Sequence, residues 1–287
     1  MATMKAIKKR ISSVNNTKKI MKAMDLVAAS KLQKAKSRLD DVRPLYENIK
    51  LVMDGIKAGI HEGEDVPFAE ERSVKSIAYI VLTSDRGLCG GYNANVSKHA
   101  LACVNANEGV REHVIAVGTK GWEYFKRRGK NVVLRIAGAS EATTFDNAEQ
   151  IGQKVSAMYT SGEVDEVYLV YTHFETVLSN EPRFEKLLPI RADKSGSAGA
   201  KPIEMSYDPD VNTFILNAVP MYLNVTIYGA MIESAVCEYA SRMTSMDSAT
   251  RNAGDIIEGL TLEYNRKRQG MITQEITEIV SGANALK

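Results

Sequence analysis

Histidine, tryptophan and cysteine are scarce in this chain: four histidines, one tryptophan and three cysteines among 287 residues. Cys89, Cys103 and Cys237 form no C-x-x-C pair, and the histidines are scattered, so no metal-ligand spacing exists. The cysteines are read as reduced thiols that serve packing. Consecutive apolar residues never approach the run of about 18 that a membrane-spanning helix needs. The N-terminus, MATMKAIKKRISSV, lacks the apolar stretch and small-residue cleavage site of a secretory signal, so the protein is expected to stay in the cytoplasm. Also missing are G-x-x-x-x-G-K-[ST], G-x-G-x-x-G, a nucleophile elbow and paired carboxylates on a loop. These absences argue against an enzyme and against any cofactor.

What is present is a folded-protein balance of 44% hydrophobic and 25% charged residues. Charge is unevenly placed. Residues 1–50 carry 13 Lys or Arg against 4 Asp or Glu, and the remainder carries 24 against 31. Stepping by four and three from Ile7 gives Ile11, Val14, Lys18, Met21, Asp25, Ala28 and Leu32, and then continues through Leu39, Tyr46 and Met53 to Ile60. Fourteen of these sixteen positions are apolar or aromatic. A period of 3.5 held that long specifies a helix wound around another helix. Such a segment is on the order of 80 Å long at about 1.5 Å per residue, so it is expected to project from any small domain. Pro44 is expected to kink it.

A second seam runs from Tyr222 through Val236, Met246 and Ala253 to Tyr264, and resumes after an eight-residue stutter at Ile272, Ile276, Ile279 and Ala283. Two such helices most simply pair antiparallel. Between them the periodicity changes. Ile77–Thr83, Val114–Val117, Val132–Ile136 and Val167–Thr172 read as strands, with helices over Ala94–Asn105, Gly121–Arg128 and Asn147–Tyr159. Glu185–Pro189 is a further strand candidate, and Ser195–Ala200 reads as a surface loop. The expected fold class is α/β: a long antiparallel coiled coil of N- and C-terminal helices plus a central doubly wound, mostly parallel domain. Its expected divisions are 1–60 (helix), 61–210 (α/β domain) and 211–287 (helix).

The segment SDRGLCGGYN, Ser84 to Asn93, falls where the first strand ends, the position at which doubly wound proteins bind phosphates. Its glycines, Gly87, Gly90 and Gly91, fit no nucleotide fingerprint. They are read as allowing a tight turn, with Asp85 and Arg86 tying the loop down by charge-assisted hydrogen bonds. The basic run Lys8, Lys9, Arg10, Lys18, Lys19, Lys22 and Lys31 has three readings: a solvated face, an acidic protein partner, or nucleic acid. No aromatic precedes Tyr46, which disfavours the last. Met24 falls outside the seam and is expected to face outward, where an unbranched thioether suits a sliding contact. On the residues alone, a coiled-coil nucleic-acid-binding or nucleotide-binding protein is the alternative to a mechanical part.

Three blocks carry a resemblance. Asn265–Leu286 reads NRKRQGMITQEITEIVSGANAL, with Ile272, Thr273, Glu275, Glu278, Gly282 and Ala283 in the signature positions; Ile11–Thr17 reads ISSVNNT, followed by KAMDLVAASK over Lys22–Lys31; and SDRGLCGGYN lies between them. Arg242, Met243, Met246, Asn252 and Ala253 extend the match. Taken in order, these resemble the gamma subunit, the central rotor shaft, of bacterial F-type ATP synthases. The resemblance implies a non-catalytic rotary subunit, one copy per complex, that couples ion flow to ATP synthesis or hydrolysis. Implied partners are the alpha and beta subunits, the epsilon subunit and the membrane c-ring, with no nucleic acid. It places the chain at the cytoplasmic face of the bacterial inner membrane as a peripheral protein. It also implies that Met24, Lys22, Arg268, Gln269, Thr273 and Glu275 touch the beta subunit, and that Met205–Asp208 approaches epsilon or the c-ring.

Overall fold

The computed structural model describes residues 3–59, 66–70, 72–107, 109–139, 142–190 and 211–285. The expected loop Ser195–Ala200 and the Met205–Asp208 segment lie outside the described residues. The chain divides into two compact units: Met1–Ala29 with Arg242–Lys287, and Ser30–Ser241. Two helices bound the α/β region in sequence, α1 (Met4–Gly59) and the final helix α5 (Val211–Ala285). Pro44 lies inside α1 and Pro220 inside α5.

In the unit of residues 30–241, five strands form one sheet in the order β3-β2-β1-β4-β5. They are β1 (Ser76–Leu82), β2 (Arg111–Val117), β3 (Val132–Ile136), β4 (Glu166–Phe174) and β5 (Asn180–Leu188). The first four run parallel and β5 is antiparallel to β4. The strand expected at Glu185–Pro189 is thus the end of a nine-residue edge strand. Its first half alternates with charge, Glu181, Arg183 and Glu185, and so carries no apolar run to announce it.

Every residue of β1 is buried, as a central parallel strand covered on both faces requires. Alternation sends its side chains to two cores. Ile77, Tyr79 and Val81 pack with Val96, Ala100 and Val104 of α2 (Tyr92–Ala106) and with Phe125 of α3 (Thr119–Lys126). On the other face, Ala78, Ile80 and Leu82 join a core with Ile151 and Val155 of α4 (Phe145–Thr160). Met53 and Ile56 of α1, and Tyr222 and Leu223 of α5, complete that core. The long helices are therefore structural members of the α/β unit.

Within this unit α1 and α5 run antiparallel. Lys31 lies over the Tyr239 ring near the start of this stretch, whereas further along α1 Arg38 bonds Tyr228 and Tyr46 meets Gly229, both about ten residues earlier on α5. Leu32, Leu39, Met53 and Ile56 are buried, while Lys34, Lys36 and Ser37 between them are exposed. The 3.5-residue reading of α1 selects the covered face.

In the unit of Met1–Ala29 and Arg242–Lys287 the same rule holds. Ile7 and Ala28 are buried on α1, with Met246 and Ala253 on α5. Beyond Tyr264 the apolar spacing continues but its residues stand in solvent: Ile272 is 48%, Ile276 55% and Ile279 71% exposed.

Residue by residue no long apolar run exists, yet α5 holds an 18-residue window apolar enough on average to cross a membrane. Isolated polar residues such as Asn224 and Thr226 interrupt the run without removing its apolar character. Because 61% of that window is buried inside the protein, the apolar surface serves the core.

Candidate functional site

Helix–strand packing brings the loop after β1 to the carboxyl edge of the sheet, beside the turn that follows β2. Gly118 sits in that second turn with φ of +91°, and a Cβ there would lie 2.2 Å from the Thr83 carbonyl oxygen. Only glycine allows this approach. The Thr83 hydroxyl donates to the Val117 carbonyl at 2.8 Å and accepts the Gly121 N–H at 2.8 Å, locking the two turns together.

Asp85 crosses the same gap. Its carboxylate accepts the backbone N–H of Thr119 at 3.0 Å and the Thr119 hydroxyl at 2.8 Å. Thr119 opens α3, so the protein's own anion occupies the helix N-terminus that would otherwise attract a phosphate. Arg86 contributes its main-chain carbonyl to the loop. That oxygen accepts the Ser84 hydroxyl at 2.6 Å and the Asn93 amide at 3.4 Å. Asn93 also receives the Ser84 N–H at 2.9 Å, so an asparagine helps close the loop alongside the Asp85 carboxylate.

Among the loop glycines the left-handed backbone falls on Gly90, at φ +55°, and Leu88 shares that region at +63°. A side chain at Gly87 would meet open space, and one at Gly91 would meet the Asn95 amide at 3.1 Å. Cys89 is buried in a small cluster with Tyr92 and Cys237, and burial pushes the Cys237 thiol far up from its ordinary range. Both behave as packing residues, whereas Cys103 is partly exposed.

The six residues expected to touch a partner all fall in the unit of Met1–Ala29 and Arg242–Lys287. Lys22, Arg268, Gln269, Thr273 and Glu275 are exposed. Met24 is half-buried rather than outward-facing. In the heptad it flanks the seam between Met21 and Ala28, where a residue is partly covered and keeps part of its surface toward solvent. Lys18, a cation at a seam position, runs beside Gly254, its Nζ lying 3.1 Å from where a Cβ would stand.

A protein-family profile described as ATP synthase matches residues 3–286. The ATP synthase gamma chain of Alkaliphilus metalliredigens is 43% identical over 288 residues, covering 99% of each chain. That of Desulforamulus reducens is 40% identical over 287 residues, covering all of both. Among solved structures, a chain of the Tetrahymena thermophila mitochondrial ATP synthase central stalk and c-ring superposes with a TM-score of 0.65 at 24% identity. It covers 80% of this chain and 99% of its own length. A chain of the Euglena gracilis mitochondrial ATP synthase gives 0.69 at 16% identity, over 99% and 94%. These two share the fold. The full-length match at 40% identity and above goes further, and the chain belongs to the ATP synthase gamma chain family, the rotary stalk subunits of that machine.

Proposed function

We propose that this chain is the non-catalytic shaft of a rotary ATP synthase, transmitting torque between a membrane ion-driven ring and the nucleotide-bearing alpha and beta subunits. Residues 1–60 and 211–287 form the shaft in this reading, and 61–210 form the head. The observation that carries it is the bare apolar stripe Ile272, Ile276 and Ile279 on α5, next to the exposed Arg268, Gln269, Thr273 and Glu275. An exposed apolar stripe of that kind marks a surface that another protein covers. A collar of alpha and beta subunits supplies such a surface. Lys22 and Met24 then face the beta subunit, and the head faces epsilon and the c-ring, which holds the protein peripherally at the cytoplasmic side of the membrane.

The gamma-chain relatives support the assignment, as does the structural neighbour from a central stalk and c-ring. A non-catalytic role is supported by Asp85, whose carboxylate already satisfies the α3 N-terminus. A shaft works without chemistry of its own. An asymmetric helix pair presents different side chains to identical catalytic sites, and each orientation biases the sites it touches toward one conformation.

The test is reconstitution with alpha and beta subunits from the same source. ATP hydrolysis by the assembly, with a bead fixed to the α/β head turning in one direction, is expected, and the isolated chain is expected to hydrolyse nothing. Turnover by the purified chain alone, abolished by substitution at Gly87 or Gly90, would restore the enzyme reading.

A further inference from the structure

Lys31, Lys34 and Arg38 stand at i, i+3 and i+7 on α1, which places them on one face of the helix. All three line one cavity of about 290 Å³ in the unit of residues 30–241, opposite an apolar wall of Ile232, Ala235 and the Tyr239 ring. No carboxylate lines it. Of the two nearby acids on α5, Glu238 lines a separate small cavity with Tyr92 and Ser234 and Glu233 lines another with Tyr46 and His173, and Asp40 and Asp41 of α1 are absent from the lining.

Two of the three cations are held by rings rather than by neutralising acids. Arg38 Nη2 donates to the Tyr228 hydroxyl at 2.7 Å with its guanidinium 5.6 Å from that ring's centroid, and Phe145 braces Tyr228 edge-on at 5.5 Å. Lys31 Nζ lies 5.6 Å from the Tyr239 centroid. Cation–π contacts position a charge without cancelling it. Among the described residues none of the three forms an ion pair, so three positive charges, all on solvent-exposed side chains, border one concavity with no acid to neutralise them.

We propose that this cavity binds a phosphate-class multivalent anion, such as inorganic phosphate or pyrophosphate, free or as the headgroup of a larger molecule. One planar guanidinium fork and two ammonium groups match the several acceptor oxygens and multiple charge of a phosphate better than the single charge of a carboxylate. The site is separate from the α3 N-terminus, whose anion position Asp85 fills, and from the residues assigned to partner contact.

The experiment titrates the full chain with inorganic phosphate and with pyrophosphate at constant ionic strength, using calorimetry and phosphorus NMR. One saturable site per chain is expected, tighter for pyrophosphate. Lys34→Gln and Arg38→Gln should each weaken it at least about fivefold, the equivalent of about 1 kcal/mol. Lys34 holds no other element in place, so its variant keeps the fold, checked by circular dichroism, even if loss of the Tyr228 bond loosens Arg38→Gln. Co-sedimentation with phosphatidic acid vesicles, lost in the same variants, would identify a lipid headgroup as the source, whereas pyrophosphate binding without co-sedimentation would identify a soluble phosphate. No saturable binding, binding indifferent to both variants, or equal binding of citrate would overturn the proposal.

Discussion

Gly229 of α5 faces the ring of Tyr46 on α1 so closely that a Cβ at position 229 would lie 2.9 Å from Tyr46 Cδ2 and 3.2 Å from Cγ. Two helices reach this separation only where one contributes no side chain. Gly229→Ala is therefore expected to lower stability by about 1–3 kcal/mol through overpacking, despite alanine's better helix propensity. Gly259→Ala, in open space, is expected to gain up to about 1 kcal/mol. Urea unfolding of both variants measures the contrast, and equal effects would mean the helices do not approach at Gly229.

Leu39 is 6% exposed in the seam, and Lys36, one turn earlier, is exposed. Leu39→Asp places a carboxylate in the apolar stripe and is expected to cost on the order of 3–5 kcal/mol. Lys36→Asp should stay within about 0.5 kcal/mol. Thermal denaturation of the two proteins distinguishes a coiled seam from an uncovered helix, because an uncovered helix would tolerate both.

Removing the Asp85 carboxylate strips α3 of its N-terminal acceptor, leaving the Thr119 N–H and hydroxyl to find water in a half-buried turn. Asp85→Ala is expected to destabilise by about 1–3 kcal/mol. Asp85→Asn should recover part of that loss, since an amide oxygen still accepts. A variant as stable as the parent would show that the loop is held by the Ser84–Asn93 bonds alone.

Tyr46, Tyr171 and Tyr222 are all pushed well above the ordinary phenol value of 10.0. Burial is the main cause, with the Glu185 charge adding to it for Tyr46 and Tyr222. A phenol that resists ionisation when folded but ionises near its ordinary value when unfolded stabilises the fold only below that value. Stability is therefore expected to be insensitive to these groups at neutral pH and to fall as pH rises above about 10. Denaturant midpoints from pH 8 to 11 measure it. Tyr171→Phe should flatten the decline, and an unchanged slope would place the alkaline sensitivity elsewhere.

Much of this architecture follows from the order of the residues. A period of 3.5 picks out Ile7, Leu32, Leu39, Met53 and Ile56 as the covered face, because along a helix pair burial repeats with the chain itself. The inner strands β1, β2 and β4 are legible for a related reason: a stretch buried on both faces must be mainly apolar. Edge strand β5 escaped that logic, since one of its faces meets solvent and its first half alternates with charge.

Contacts between residues far apart in sequence were decided only by the folded chain. Nothing near Asp85 indicates that Thr119 will meet its carboxylate, nor does anything near Lys31, Lys34 and Arg38 indicate the Tyr239 ring and the absence of acids around them. The second seam makes the same point from the opposite side. Spacing puts Ile272, Ile276 and Ile279 on one face of α5, but periodicity reports only which residues share a face, and the tertiary structure leaves that face uncovered. Coverage depends on what another segment or another protein brings to it, and that is a property of three-dimensional contact rather than of the helix's own sequence.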